Sequence, residues 1–263
     1  MNNFRSNFLD SIPPIVKNLI IINIIMWLAT EVSPNIFGRL GIDGKLSDFL
    51  GLHYWASSEF NVIQFITYIF MHGGFTHLFF NMFSLYMFGG LLEQLWGPKR
   101  FLFYYLVTGV GAGIVQQLFW TVEFQPVVTA LNQAMSSNSG EALFPVSDFL
   151  TRYFDFSNWG ALTTPQMLEL KQTLLNIPVT VGASGSVFGL LLAFGWLFPD
   201  LKLMLLFFPV PIKAKYFVIM YGVAELFLGV ARFSGDNIAH FAHLGGMLFG
   251  IILILYWKKK RQL

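Results

Sequence analysis

The amino-acid sequence predicts an all-α polytopic membrane protein built as a six-transmembrane-helix bundle. Three observations carry that expectation. First, 55% of the 263 residues are hydrophobic and only 11% are charged, with a mean hydropathy of +0.61. An average soluble domain is roughly 25% charged, and so few charges cannot cover a soluble surface. Second, uncharged runs reach 33 residues at 60–92, 22 at 101–122, 27 at 173–199 and 21 at 237–257, where a span needs about 20. Third, Lys and Arg fall unevenly between the connections, as membrane orientation requires. The composition excludes disorder, which needs low hydrophobicity and high charge. With no Cys it excludes disulfide scaffolds and cysteine-ligated metals, and a net charge of +2 gives no footing for nucleic acid.

The spans are expected at 15–33, 74–94, 101–120, 181–199, 214–233 and 237–257. The first follows Ser11-Ile12-Pro13-Pro14 with no small-residue cleavage site behind it, so it reads as a retained span and not a signal peptide. The run 60–92 is too long for one helix. Gly73-Gly74 breaks it, leaving 61–72 as a membrane-associated loop. The segment 203–212 is apolar but short and carries Pro209 and Pro211, and it reads as an interfacial connection. The fifth span is interrupted once, by Glu225. Residues 1–14 form a short N-terminus, 15–257 one membrane domain, and 258–263 a basic tail. Eleven Lys and Arg, among them Arg5, Lys99, Lys202 and Lys258, fall on one side, and five, Arg39, Lys45, Arg152, Lys171 and Arg232, on the other. Both termini are therefore expected in the cytoplasm, with a bacterial inner membrane as the expected location.

Residues 121–180 form a long insertion on the opposite side. Thr164-Pro165, ahead of Met167, Leu168 and Leu174, is a helix start within it.

Polar side chains inside a bilayer are expensive, and function is the default explanation. His77 and Asn81 share a face of span 2 at i and i+4. Span 4 opens with Gly182-Ala183-Ser184-Gly185, and span 6 carries His240 and His243. All lie in the first third of three helices that run the same way. Gly185/Gly189 and Gly246/Gly250 are G-x-x-x-G pairs, which let helices approach closely in lipid. That contact brings Ser184 against His243, the arrangement of a serine nucleophile activated by a histidine base. His77, Asn81 and the Ser184 backbone N–H are the candidate oxyanion donors. His240, one turn outward, is the alternative base, and His72 reads as a loop or gate residue. No Asp lies in any span, so a dyad is expected and not a triad. Glu225 has no assigned partner.

These residues resemble the rhomboid family of intramembrane serine proteases. Met71-His72-Gly73-Gly74-Phe75-Thr76-His77-Leu78-Phe79-Phe80-Asn81 is similar to its helix 2 signature. Gly182-Ala183-Ser184-Gly185 is similar to Gly-x-Ser-Gly, and His243-Leu244-Gly245-Gly246-Met247-Leu248-Phe249-Gly250 to His-x-x-Gly-x-x-x-Gly. Gly89-Gly90 with Glu93, Gly97 and Arg100-Phe101 resembles the corner between helices 2 and 3. The resemblance covers about residues 60–256. It implies a six-helix rhomboid-like bundle with Ser184 as nucleophile, His243 as base and the three oxyanion donors above. Gly182, Gly185, Gly246 and Phe188 would support them. Phe188 stands where many members have a stacking Tyr, and Tyr54-Trp55 lacks the adjacent Arg of many bacterial members.

Transmembrane protein substrates and the lipid bilayer are the implied partners, with span 5 near a lateral gate and no cofactor or metal. The insertion would act as a lid or substrate-selecting surface, so that deleting 125–175 changes substrate choice. Two other functions compete. One is a catalytically inactive rhomboid-like protein that binds membrane clients. The other is a metalloprotein or transporter using the histidines, against which stand the missing His-Glu-x-x-His and the lack of repeated halves.

Overall fold

The structure is a computed structural model that describes residues 12–156, 158–205, 208–231 and 238–260. Arg5, Arg232, Arg261, most of the N-terminal segment, the end of the basic tail and residues 232–237, which take in the end of the fifth expected span and the first residue of the sixth, lie outside the described residues. Among the described residues, five helices are long and apolar enough to cross a membrane: α1 (Pro14–Arg39), α2 (Phe75–Trp96), α3 (Pro98–Ser137), and further along the chain α6 (Ala214–Ala231) and α7 (His240–Lys259). Between α3 and α6 lie α4 (Thr164–Asn176) and α5 (Ser184–Leu197). The protein is a multi-pass, mostly helical membrane protein.

The chain divides into two compact units. The first comprises residues 12–51, 63–116 and 181–260 of the described chain and holds α1, α2, the first half of α3, α5, α6 and α7. Several polar side chains here hydrogen-bond to backbone groups, as hydrocarbon favours. In α1, Asn23 Nδ2 donates to the Leu19 carbonyl at 2.7 Å and Thr30 Oγ1 to that of Met26 at 2.9 Å. The N-terminus of α1 leaves orphan N–H groups, and buried Glu93 of α2 accepts two of them, from Ile15 at 2.9 Å and Val16 at 2.8 Å. An acid at a helix N-terminus also suits the helix dipole. Tyr104 and Ser186 tie α3 to α5, Tyr104 Oη donating to the Gly189 carbonyl and Ser186 Oγ to that of Tyr105, both at 2.8 Å.

Two expectations are corrected, and a third segment gains a definite form. The fourth span is shorter than 181–199: α5 is 14 residues, about 21 Å long. Gly182 is the reason, since its φ of +130° is not helical. The third helix does not stop near residue 120. It runs to Ser137 through Glu123, Gln125 and Pro126, 40 residues in all. The connection at 203–212 is a β-hairpin, β3 (Lys202–Leu205) against β4 (Phe208–Lys213). Asp200 beside it accepts from Lys213 and Lys215 at 3.0 and 3.1 Å, and the two ammonium groups hold its carboxyl below the ordinary range.

The second unit comprises residues 52–62 and 117–180. The insertion is therefore a folded body with a core of its own. Trp120, Phe124 and Leu131 of α3 pack with Leu143, Leu150, Trp159, Met167 and Leu174. Its helix α4 starts where Thr164-Pro165 predicts, with Thr163 and Gln166 forming a reciprocal capping box. A two-residue antiparallel ladder, β1 (Leu52–His53) against β2 (Val179–Thr180), pairs Leu52 with Thr180 and His53 with Val179. Gln117 bridges the first strand, donating to the His53 carbonyl at 2.6 Å and accepting from the Trp55 N–H at 2.8 Å.

Candidate active site

The site lies in the first unit, where α5 and α7 pack face to face. Their approach is set by glycine. A methyl group on Gly246 would collide with the Gly185 carbonyl oxygen and lie 2.7 Å from its carbon. Only with hydrogen at Gly246 can the two backbones come this close. Ser184 is the first residue of α5 and His243 lies in the first turn of α7. His243 Nε2 is 2.8 Å from Ser184 Oγ.

The turn before Ser184 is held from the other side. The Gly182 N–H donates to the Tyr68 carbonyl at 2.9 Å. The φ of +130° at Gly182 disfavours any other residue. A side chain there would also meet the His77 ring at 2.7 Å, and that same added carbon would be 3.6 Å from Ser184 Oγ. His77 of α2 thus lies beside the turn that leads into Ser184. Asn81, buried one turn further on, donates one amide N–H to the His77 carbonyl at 2.9 Å. An amide nitrogen carries two N–H groups, so one remains beyond that bond. His72 is buried and packs edge-on to His77, ring centroids 5.1 Å apart.

His243 is fixed on its other sides as well. Phe188 of α5 stacks on its ring, centroids 4.2 Å apart and planes 6° from parallel. Glu225 of α6 places Oε2 2.9 Å from His243 Nδ1 and 2.6 Å from His240 Nδ1. Here the structure departs from what the sequence implies. Glu225 has partners, and they are the two histidines weighed as alternative bases. The 2.8 Å contact to Ser184 belongs to His243, while His240 turns Nδ1 to the carboxylate. An acid breaking an apolar span was the available signal. Glu225 lies 15 and 18 residues before its partners, a spacing with no local periodicity to link them. The three are also a group, among the described residues, whose ligand atoms lie within 4.8 Å of one another, as a metal site needs. Their separations of 2.6 and 2.9 Å from carboxylate to ring nitrogen are those of charge-assisted hydrogen bonds.

The described residues therefore bring Ser184, His243, Glu225, His240 and Phe188 into one contact network, with Gly182 and His77 beside it. Chemically, a hydroxyl facing an imidazole whose other nitrogen meets a carboxylate can lose its proton at neutral pH. A family model described as the rhomboid domain matches residues 59–260. The chain belongs to the rhomboid family.

Among its relatives is an uncharacterised mitochondrial rhomboid protein of Schizosaccharomyces pombe, 26% identical over 234 residues, which are 83% of this chain and 58% of that protein. A chloroplastic rhomboid-like protein of Arabidopsis thaliana is 26% identical over 191 residues, 73% of this chain and 51% of its own. A Bacillus subtilis protein, provisionally named the rhomboid protease YdcA, is 28% identical over 99 residues, 37% of this chain and 46% of its own. The chain spans about half the length of these curated rhomboid relatives. The first two names place those proteins in organelles, so a bacterial inner membrane for this rhomboid chain gains no support from them.

Proposed function

We propose that this rhomboid protein is an intramembrane serine endopeptidase that hydrolyses peptide bonds in or near transmembrane segments of membrane proteins. The observation that carries the reading is the 2.8 Å contact between His243 Nε2 and Ser184 Oγ, and membership of the rhomboid family supports it. In this reading Ser184 Oγ attacks the scissile carbonyl carbon while its proton passes to His243 Nε2. The Ser184 backbone N–H, the His77 ring and the second Asn81 amide N–H donate to the oxyanion of the tetrahedral intermediate. His243 returns the proton to the departing amine, and water then cleaves the acyl-enzyme by the same steps reversed. Gly182, Gly185 and Gly246 keep the three helices at contact distance. Both ends of the described chain lie on the side that carries more Lys and Arg.

A fluorophosphonate serine-hydrolase probe, applied to the detergent-solubilised protein, tests this. Labelling should be lost in Ser184→Ala and in His243→Ala. Folded wild type that does not label would instead favour a rhomboid-like protein that binds membrane clients without cleaving them.

A further inference from the structure

Glu225 is an acid in the middle of an apolar helix, and its side chain is 11% exposed. A charge in such surroundings is retained where it is paired and hydrogen-bonded, and it marks function by default. Its partners are unusual. One oxygen, Oε2, meets both His240 Nδ1 at 2.6 Å and His243 Nδ1 at 2.9 Å. Those two histidines are themselves buried, at 5% and 8% exposure.

The consequence for His243 follows from counting protons. A neutral imidazole carries one N–H. A carboxylate has only lone pairs to offer, so the hydrogen must sit on Nδ1. Nε2 is then left with its lone pair facing Ser184 Oγ at 2.8 Å, the tautomer in which the ring can take the serine proton. Phe188, stacked on the ring face, fixes the plane of the imidazole but does not decide which nitrogen is protonated. Something at Nδ1 must decide that, and Glu225 is the group there.

We propose that Glu225 is a positioning residue that completes a Ser184–His243–Glu225 triad, with His240 holding the carboxylate in place. This rests on the reading of Ser184 and His243 as nucleophile and base. Glu225 selects the Nδ1–H tautomer of His243 and stabilises the imidazolium that forms when Ser184 gives up its proton. His240 donates its own Nδ1–H to the same oxygen, which anchors the carboxylate from α7. The competing account is a structural tie between α6 and α7. The two differ in what a glutamine does. The substitution Glu225→Gln keeps the size and still accepts a hydrogen bond, so it preserves a tie. The new amide can also present an N–H to Nδ1, which permits the opposite tautomer, with a hydrogen on Nε2 pointing at Ser184.

The test is saturation kinetics of fluorophosphonate inactivation on the full chain in detergent. In this reaction the Oγ–P bond forms, the P–F bond breaks and fluoride leaves, and the serine proton passes to His243. Glu225→Gln should lower the maximal inactivation rate on the order of 10³-fold, by analogy with acid-to-amide changes in serine protease triads. The half-saturating probe concentration should stay within about threefold and the melting temperature within about 3 °C of wild type. Glu225→Asp, which keeps an acceptor-only group, should recover at least about tenfold over Glu225→Gln. His240→Ala should slow inactivation by less than about tenfold, because the His243 contact remains. Wild-type inactivation of Glu225→Gln overturns the proposal. So does equal slowing of the Gln and Asp variants accompanied by a lowered melting temperature, which is the signature of a tie. A wild type that does not label, or a Ser184→Ala that does, removes the underlying dyad and this inference with it.

Discussion

Gly246→Ala puts the contact between α5 and α7 under direct strain. The added methyl would overlap the Gly185 carbonyl oxygen and lie 2.7 Å from the carbonyl carbon and 3.2 Å from the α-carbon. Ordinary contact begins at 3.4 Å. Relieving the carbon alone needs 3.4 − 2.7, or about 0.7 Å of separation, and the oxygen needs more. The obstacle is backbone in the first turn of a helix, so no rotamer change relieves it. Ser184 adjoins Gly185, and His243 lies one turn before Gly246 on the same face. A separation of that size stretches the 2.8 Å Ser184–His243 contact to about 3.5 Å, beyond hydrogen-bond reach. Misplacement on the order of 1 Å costs roughly 10²-fold in rate, and overpacking costs about 1–3 kcal/mol in stability. The assay is the rate of fluorophosphonate labelling together with thermal unfolding in detergent. Gly222→Ala on α6 is the control, since its methyl meets only the flexible end of Met247 at 3.3 Å. A Gly246→Ala protein that labels as fast as wild type would refute the argument that this glycine sets the site.

Three further outcomes are expected. Phe188→Ala removes the ring stacked on His243, worth about 1 kcal/mol, and should slow labelling roughly fivefold, whereas Phe188→Tyr should not. Glu93→Ala leaves the Ile15 and Val16 N–H groups without their acceptor and should cost about 1–3 kcal/mol of stability, read as a lowered unfolding temperature. In the loop before α2, burial pulls the His72 imidazole from 6.5 down to about 3, with His77 beside it adding to the shift. The folded form therefore binds fewer protons than the unfolded one, so stability is complete above pH 6.5 and falls as pH drops toward 3. At pH 5 the loss is about 2 kcal/mol, and His72→Asn should show a smaller drop in melting temperature between about pH 7 and pH 5 than wild type.

The spans were legible because hydrocarbon imposes a length and a composition, and both are written locally. The approach of Ser184 to His243 was legible because each lies near a glycine pair, and the pairs announce a close helix contact. Glu225 was not, because what it does depends on two residues of a different helix, and a single charge in a span has no periodicity to read. The absence of Asp from the spans pointed to a dyad, whereas the acid that meets His243 is a Glu. The end of the third helix was misplaced for a physical reason. The charge-free run ends at Val122, which set the expected end near 120, but a helix continues where an apolar stripe gives it something to pack, and Phe124, Val127, Leu131 and Ala134 supply one. The expected fourth span, 181–199, overshot the helix at both ends, because Val181, Phe198 and Pro199 are uncharged and carry the apolar run past Ser184–Leu197. In the structure Val179 and Thr180 belong to a strand, and Gly182 turns the chain before the helix begins.

That late beginning has an electrical consequence. A helix of 14 residues covers about 21 Å of a hydrocarbon layer roughly 30 Å thick. Aligned peptide dipoles place about half a positive charge at its first turn, and that turn opens with Ser184. In water such a partial charge is screened within a few ångströms. At the start of a helix whose next residues, Gly185, Ser186 and Val187, are buried, it is screened far less. The first turn of α5 then holds a fixed positive potential aimed at the serine oxygen and at anything bonded to it, present before a substrate arrives and requiring no rearrangement when negative charge develops there.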